Sequence, residues 1–145
     1  MITGTFHTNS EGETHALAER LARSLRGGDV IALRGALGAG KTAFVRGLAA
    51  GLGIDADVSS PTFTLVQEYR SAGSPVLYHF DMYRVTNEDS LETTGFYDYL
   101  NTGGVIAVEW SEQIGWAIPP GAVTAEILAT GSESRVITIS GGRPQ

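Results

Sequence analysis

The sequence predicts an α/β fold of three layers, with a central, mostly parallel sheet flanked by antiparallel strands. Three observations carry this expectation. The runs Val30-Ile31-Ala32-Leu33 and Val105-Ile106-Ala107-Val108 are apolar throughout, as strands covered on both faces are. The first run feeds a glycine-rich turn, after which Phe44, Val45, Leu48 and Leu52 recur at helical spacing, giving a strand–loop–helix unit. Near the C-terminus, Val123–Ala129 and Arg135–Ser140 alternate on either side of the turn Gly131-Ser132-Glu133-Ser134, which reads as a hairpin.

Taken in order, residues 2–8 alternate enough for an edge strand. Ser10-Glu11-Gly12-Glu13 resembles a capping box, and Leu17, Leu21 and Leu25 follow at four-residue spacing, so a helix is expected over 11–26, stopped by Gly27-Gly28. Asp29–Arg34 is a buried strand, and the helix after the glycine-rich turn ends at Gly51 and Gly53. Residues 53–61 form a loop. Phe63–Arg70 and Val76–Phe80 are strands joined by the turn 71–75, a second hairpin. Asn87–Thr94 is a short helix and Gly95–Leu100 a helical turn carrying aromatics. Gly103-Gly104 leads into the buried strand 105–108, and Pro119-Pro120-Gly121 breaks the chain before the last hairpin.

A length of 145 residues suits one domain, 1–145, with a real core. No cysteine is present, which excludes disulfides, thiol catalysis and cysteine-based zinc sites. The N-terminus shows no apolar targeting segment, and no apolar run approaches the ~20 residues that cross a bilayer; a cytoplasmic protein without membrane partners is expected. The net charge of −6 argues against a self-sufficient nucleic-acid binder. Between Val85 and Ser134 there are eight carboxylates and no Lys, Arg or His. Such a stretch gives a solvated acidic surface, part of which can meet a basic partner.

The chain has nine arginines and a single lysine, Lys41, and that lysine completes Gly35-Ala36-Leu37-Gly38-Ala39-Gly40-Lys41-Thr42, a match to G-x-x-x-x-G-K-[ST] at every fixed position. Glycines allow the tight turn that points the N–H groups of Gly38, Ala39, Gly40, Lys41, Thr42 and Ala43 at phosphate oxygens. Lys41 is placed to reach the β- and γ-phosphates, the Thr42 hydroxyl to hold Mg²⁺, and the following helix adds the positive end of its dipole. The flanking strand and helix are the setting this motif requires, so the expected architecture is P-loop NTPase-like.

Hydrolysis or transfer also needs a carboxylate near Mg²⁺ and a group that positions the nucleophile. Such acids sit at the C-terminal ends of buried strands, facing the phosphate loop. Asp81, after Val76–Phe80, and Glu109, after Val105–Val108, occupy those positions. Glu109 can orient or deprotonate water or bind Mg²⁺; Asp81 can hold Mg²⁺ directly or through water. The segment Ser60-Pro61-Thr62-Phe63-Thr64 lies where a switch-like loop could reach the γ-phosphate, though alone it reads as a loop entering a strand. His79 shares a strand face with Asp81 and reads as a packed, hydrogen-bonded histidine. Arg84 can face a phosphate or a partner, and Trp110 stands directly beside Glu109.

Four motifs occur in one order: Gly-Ala-Leu-Gly-Ala-Gly-Lys-Thr (35–42), Ser-Pro-Thr-Phe-Thr-Leu-Val (60–66), His-Phe-Asp-Met-Tyr-Arg (79–84) and Val-Glu-Trp-Ser-Glu (108–112). Together they resemble the TsaE (YjeE) family of small bacterial ATPases, over essentially the whole domain. The resemblance implies binding and hydrolysis of ATP with Mg²⁺ in the biosynthesis of N6-threonylcarbamoyladenosine in tRNA. It implies work with the transferase TsaD and its paralogue TsaB, with tRNA met only indirectly through that complex. By the same resemblance Lys41 contacts phosphates, Thr42, Asp81 and Glu109 surround Mg²⁺, Trp110 lies beside the site, and Thr62 belongs to a switch-like loop. Thr14 and Arg135 become candidates for the nucleotide base. Met82 stands where the family more often has leucine, an apolar exchange.

Other phosphate-loop classes fit less well. A small-molecule kinase would carry an arginine-rich lid, which the stretch 85–134 lacks. A GTPase switch would carry Asn-Lys-x-Asp and Asp-x-x-Gly, and neither occurs. A third possibility is a structural subunit that does not hydrolyse nucleotide; full turnover of the complex with Glu109→Ala and Asp81→Ala would support it, whereas slow hydrolysis by the protein alone would not, because a partner can complete the site.

Overall fold

The computed structural model describes residues 1–36, 38–61 and 64–143. In chain order the elements are β1 Gly4–Thr8, α1 Glu11–Ala22, β2 Val30–Arg34, α2 Lys41–Gly51, β3 Val66–Tyr69, β4 Leu77–Asp81, α3 Glu88–Glu92, α4 Phe96–Tyr99, β5 Val105–Glu109, a 3₁₀ helix Ser111–Ala117, β6 Val123–Ala129 and β7 Arg135–Gly141. The strands form one sheet in the order β1-β7-β6-β2-β5-β4-β3. Its centre, β6-β2-β5-β4, is parallel; β3 adds antiparallel to β4, and β7 and β1 add antiparallel beyond β6. The expected mostly parallel centre with antiparallel flanks is therefore the fold observed.

Burial follows the sequence pattern. Every residue of β4 and β5 is buried, as are the first four of β2, because layers cover both faces there. On one face, α1 and α2 pack over Ile31, Leu33, Leu77, Val105 and Ala107. On the other, α3, α4 and the 3₁₀ helix bury Leu91, Phe96 and Ile114 against Val30, Phe80, Ile106 and Val108. Phe80 meets Phe96 and Tyr99 edge to face, with ring centroids 5.4 and 5.1 Å apart.

The α1–α2 contact depends on two residues without side chains. A Cβ on Gly47 would lie 2.4 Å from the His15 carbonyl oxygen and 2.6 Å from Ala18 Cβ. One on Gly51 would lie 2.6 Å from both Ala22 Cβ and the Glu19 carbonyl oxygen. The two helix backbones thus touch along one seam. This seats α2 with Phe44, Val45 and Leu48 fully buried on the sheet and its N-terminus just beyond the end of β2.

Ser10 caps α1 by accepting from the Glu13 N–H (3.1 Å), while the Glu13 carboxylate accepts from Asn9 N–H (2.8 Å), one residue before the Ser10 N–H of a reciprocal capping box. The α-helix ends at Ala22 rather than 26, because Ser24 and Leu25 N–H turn to the carbonyls of Leu21 and Ala22, a tighter winding that closes the last turn. The strand expected over 63–70 is Val66–Tyr69, and its expected start at Phe63 lies outside the described residues.

Candidate nucleotide-binding site

The sheet delivers its chemistry to one edge. Asp81 and Glu109 are register partners at the C-terminal ends of parallel β4 and β5, and Met82 N–H donates to the Glu109 carbonyl at 3.1 Å. Both carboxylates are nearly buried, at 5% and 4% exposure. Leu77, His79 and Asp81 alternate onto the sheet face that α2 covers, as do Val105, Ala107 and Glu109. The phosphate-loop helix therefore points its first turn at both acids.

At that turn Gly40 has φ 105° and Gly38 φ 78°, left-handed conformations that favour glycine. Gly40 is the N-cap of α2 and supplies no side-chain hydrogen bond to the helix. The free N–H groups of the first turn, with the positive end of the helix dipole, are thus left for an anion. Beside them Lys41 is 5% exposed. Its Nζ donates to the Gly35 carbonyl at 2.6 Å and stands 3.5 Å from the centroid of the Trp110 ring. Burial pushes the ammonium pKa down, and the charges of Glu109, Glu112 and Asp81 oppose that shift without cancelling it. A desolvated ammonium beside the first turn of a helix gains from an anion in the adjacent cavity.

Trp110 reaches Lys41 from an unusual backbone. It is in the left-handed region (φ 57°, ψ 40°), rare for a bulky residue, and it opens the 3₁₀ helix Ser111–Ala117. Ser111, buried, anchors this turn by donating its hydroxyl to the Leu33 carbonyl at the end of β2 (3.0 Å). The indole also meets Tyr83, centroid to centroid 4.8 Å. The sequence reading placed Trp110 beside the site but did not anticipate the 3₁₀ helix, whose glycine-containing segment shows no helical periodicity.

Thr42 donates its hydroxyl to Glu109 Oε2 at 3.3 Å, which joins the phosphate loop to β5. His79 Nε2 contacts the same oxygen at 2.5 Å. Asp81 Oδ1 accepts from Tyr83 N–H at 2.9 Å, and Asp81 N–H donates to the Leu65 carbonyl at 2.9 Å. Leu65, itself at φ 68°, donates its N–H back to Pro61. The segment flagged as switch-like is thus tied to the strand end that carries Asp81, although Thr62 itself lies outside the described residues. Asp81, Glu109 and the Thr42 hydroxyl supply hard oxygen donors of the kind that would suit Mg²⁺. No larger cluster of His, Cys, Asp and Glu that could hold a metal exists among the described residues.

These groups line a cavity of about 610 Å³, within the usual size of a cofactor site. Gly38, Gly40, Lys41, Thr42, Ala43, Asp81, Glu109 and Trp110 contribute to it, as do Thr14 and Arg135. Thr14, buried at the α1 side, shares a hydrogen bond of 2.8 Å with the Thr8 hydroxyl. Arg135 comes from the start of β7 and turns its guanidinium onto the phosphate loop: Nε donates to the Ala39 carbonyl at 2.6 Å and Nη1 to Gly131 and Ser134. Arg84 also lines the cavity. Glu11, Arg46, Ser132 and Glu133 also line it and were not singled out from sequence; their signal is only three-dimensional, because they come from three separate segments. Among the described residues no helix is long and apolar enough to cross a membrane.

Comparison with known proteins gives the family. The model of the family described as "Threonylcarbamoyl adenosine biosynthesis protein TsaE" matches residues 8–137. The chain is 42% identical to the tRNA threonylcarbamoyladenosine biosynthesis protein TsaE of Bacillus subtilis over 135 residues, covering 93% of this chain and 84% of that one. It is 46% identical to the TsaE of Aquifex aeolicus over 106 residues, covering 72% and 74%. The crystal structure of YdiB from Bacillus subtilis superposes with a TM-score of 0.79 at 35% identity, covering 96% of this chain and 85% of that one. With a family match over most of its length, relatives at this identity and a shared fold, the chain belongs to the TsaE family.

Proposed function

We propose that this protein binds ATP with Mg²⁺ and hydrolyses it in support of threonylcarbamoyladenosine formation on tRNA, working in the cytoplasm with TsaD and TsaB. The observation that carries this reading is the Thr42–Glu109 contact of 3.3 Å. It places the acid of a buried strand end against the first turn of a phosphate-loop helix, beside a desolvated lysine. The relatives' names supply the pathway, and the net charge of −6 supports a role in which tRNA is held by the partners.

In this reading the first-turn N–H groups and Lys41 bind the β- and γ-phosphates and neutralise charge that builds up there during transfer. Thr42 and Asp81 would hold Mg²⁺, which would supply positive charge to the phosphate group. Glu109 orients a water for in-line attack and takes its proton. Trp110 and Tyr83 wall that corner and exclude other water.

The test is ATP hydrolysis with Mg²⁺ by the purified protein, alone and with TsaB and TsaD. Turnover raised by the partners and removed by Lys41→Ala is the result expected. Binding of ATP with turnover indifferent to both partners would reject the pathway assignment, and absence of any nucleotide binding would reject the reading as a whole.

A further inference from the structure

His79 is fully buried, at 0% exposure, in the middle of β4. Its register partners across the sheet, Ala107 on β5 and Gln67 on β3, leave its ring on the α2-covered face. There Nε2 lies 2.5 Å from Glu109 Oε2, while Nδ1, also buried, has no hydrogen-bond partner among the described residues. The Tyr69 ring sits nearby (6.1 Å between centroids), its hydroxyl engaged with Gln67 and the Ser59 backbone and so unable to serve Nδ1.

A carboxylate only accepts, so the short contact requires the proton on Nε2. Glu109 Oε2 thereby takes two donors, His79 and Thr42, and Oε1 has none among the described residues. The Thr42 hydroxyl is also the group expected to turn to a metal. Once it does, His79 alone holds Oε2 and so fixes the direction in which Oε1 faces the cavity.

We infer that His79 is the positioning residue for Glu109, an inference that rests on the proposed hydrolysis. Its Nε2–H anchors one carboxylate oxygen so that the other meets the attacking water. The residue does not touch nucleotide and acts only through Glu109.

The experiment compares His79→Leu, His79→Gln and His79→Asn by steady-state ATP hydrolysis with TsaB and TsaD and by ADP affinity without them. Leucine removes the donor. Glutamine places an amide N–H near the Nε2 position, and asparagine is one methylene too short. Loss of the anchor should lower kcat by about ten- to hundred-fold in the Leu and Asn variants, with ADP affinity near wild type and recovery in Gln. Wild-type kcat in the folded Leu variant, or equal activity of Gln and Asn, would overturn the inference. If Leu does not fold, the Gln–Asn contrast decides alone. A wild-type protein without hydrolysis would reject the functional reading instead. An independent readout comes from heteronuclear NMR of the free protein, with the His79 signal assigned by its loss in His79→Gln. The Nε2–H tautomer with a slowly exchanging proton is expected, and the Nδ1–H tautomer would overturn the inference.

Discussion

The ammonium of Lys41 lies over the face of Trp110, 3.5 Å from the ring centroid, while it donates to the carbonyl of Gly35. A desolvated cation–π contact is worth about 2 kcal/mol, less than a charge-assisted bond to a phosphate backed by the helix dipole. Nucleotide should therefore draw Lys41 off the ring. With Trp116→Phe removing the only other indole, Trp110 emission should change on titration with nucleotide. Lys41→Ala should abolish both the change and the binding. Unaltered emission at saturating nucleotide would show that the lysine stays where it is.

Arg135 reaches across 96 residues of sequence to the Ala39 carbonyl. It thereby holds two carbonyls of the phosphate loop, Ala39 at 2.6 Å and Gly38 at 3.4 Å, and braces the loop's shape. Arg135→Met keeps the stem and removes the donors, so nucleotide affinity should fall by about ten-fold, some 1.4 kcal/mol, with Tm little changed. Calorimetric titration measures this, and an affinity equal to wild type would deny the loop its clamp.

Gly47 is fixed by close approach rather than by turn geometry. Gly47→Val would drive a branched side chain into the His15 carbonyl and Ala18, part the two helices and cost about 1–3 kcal/mol. Urea denaturation should show a lower midpoint with an unchanged slope. A variant as stable as wild type would mean the seam is loose.

Much of this was legible in the sequence, and the reasons are local. The apolar runs in β2 and β5, the phosphate-loop glycines and the alternation of β6 and β7 each encode a conformation over a few residues. Asp81 and Glu109 could be placed because a buried strand has only one end facing the loop. What could not be read depends on pairing between distant segments. His79 against Glu109, Arg135 against Ala39 and Arg143 against Asp29 are 30, 96 and 114 residues apart. Trp110 is a different case, since its left-handed backbone is imposed by the Ser111 anchor on Leu33 and by packing.

Asp29 shows how one of those distant pairs governs stability. Arg143 grips both of its oxygens, Nε to Oδ1 at 2.7 Å and Nη2 to Oδ2 at 2.9 Å, and Arg26 N–H adds a third donor. Burial alone would push this carboxyl up, but the Arg143 and Arg26 hydrogen bonds and the Arg143 charge outweigh it and hold the pKa below the ordinary 3.8. A depressed folded value adds stability that is fully present above 3.8 and is lost as pH falls through the folded value. Asp29→Asn should therefore melt below wild type at pH 7, and the gap should close only under strong acid. A gap of constant size down to the acid limit, followed by circular dichroism, would refute this assignment.

Glu109 is where the account can be tested most directly, by measuring ATP affinity and ATP turnover on the same Glu109→Ala preparation with Mg²⁺, TsaB and TsaD present. Affinity within a few-fold of wild type with turnover lowered by about 10²-fold or more is the result expected of a residue that positions water. Turnover at the wild-type rate would contradict it and move the chemistry away from the end of β5.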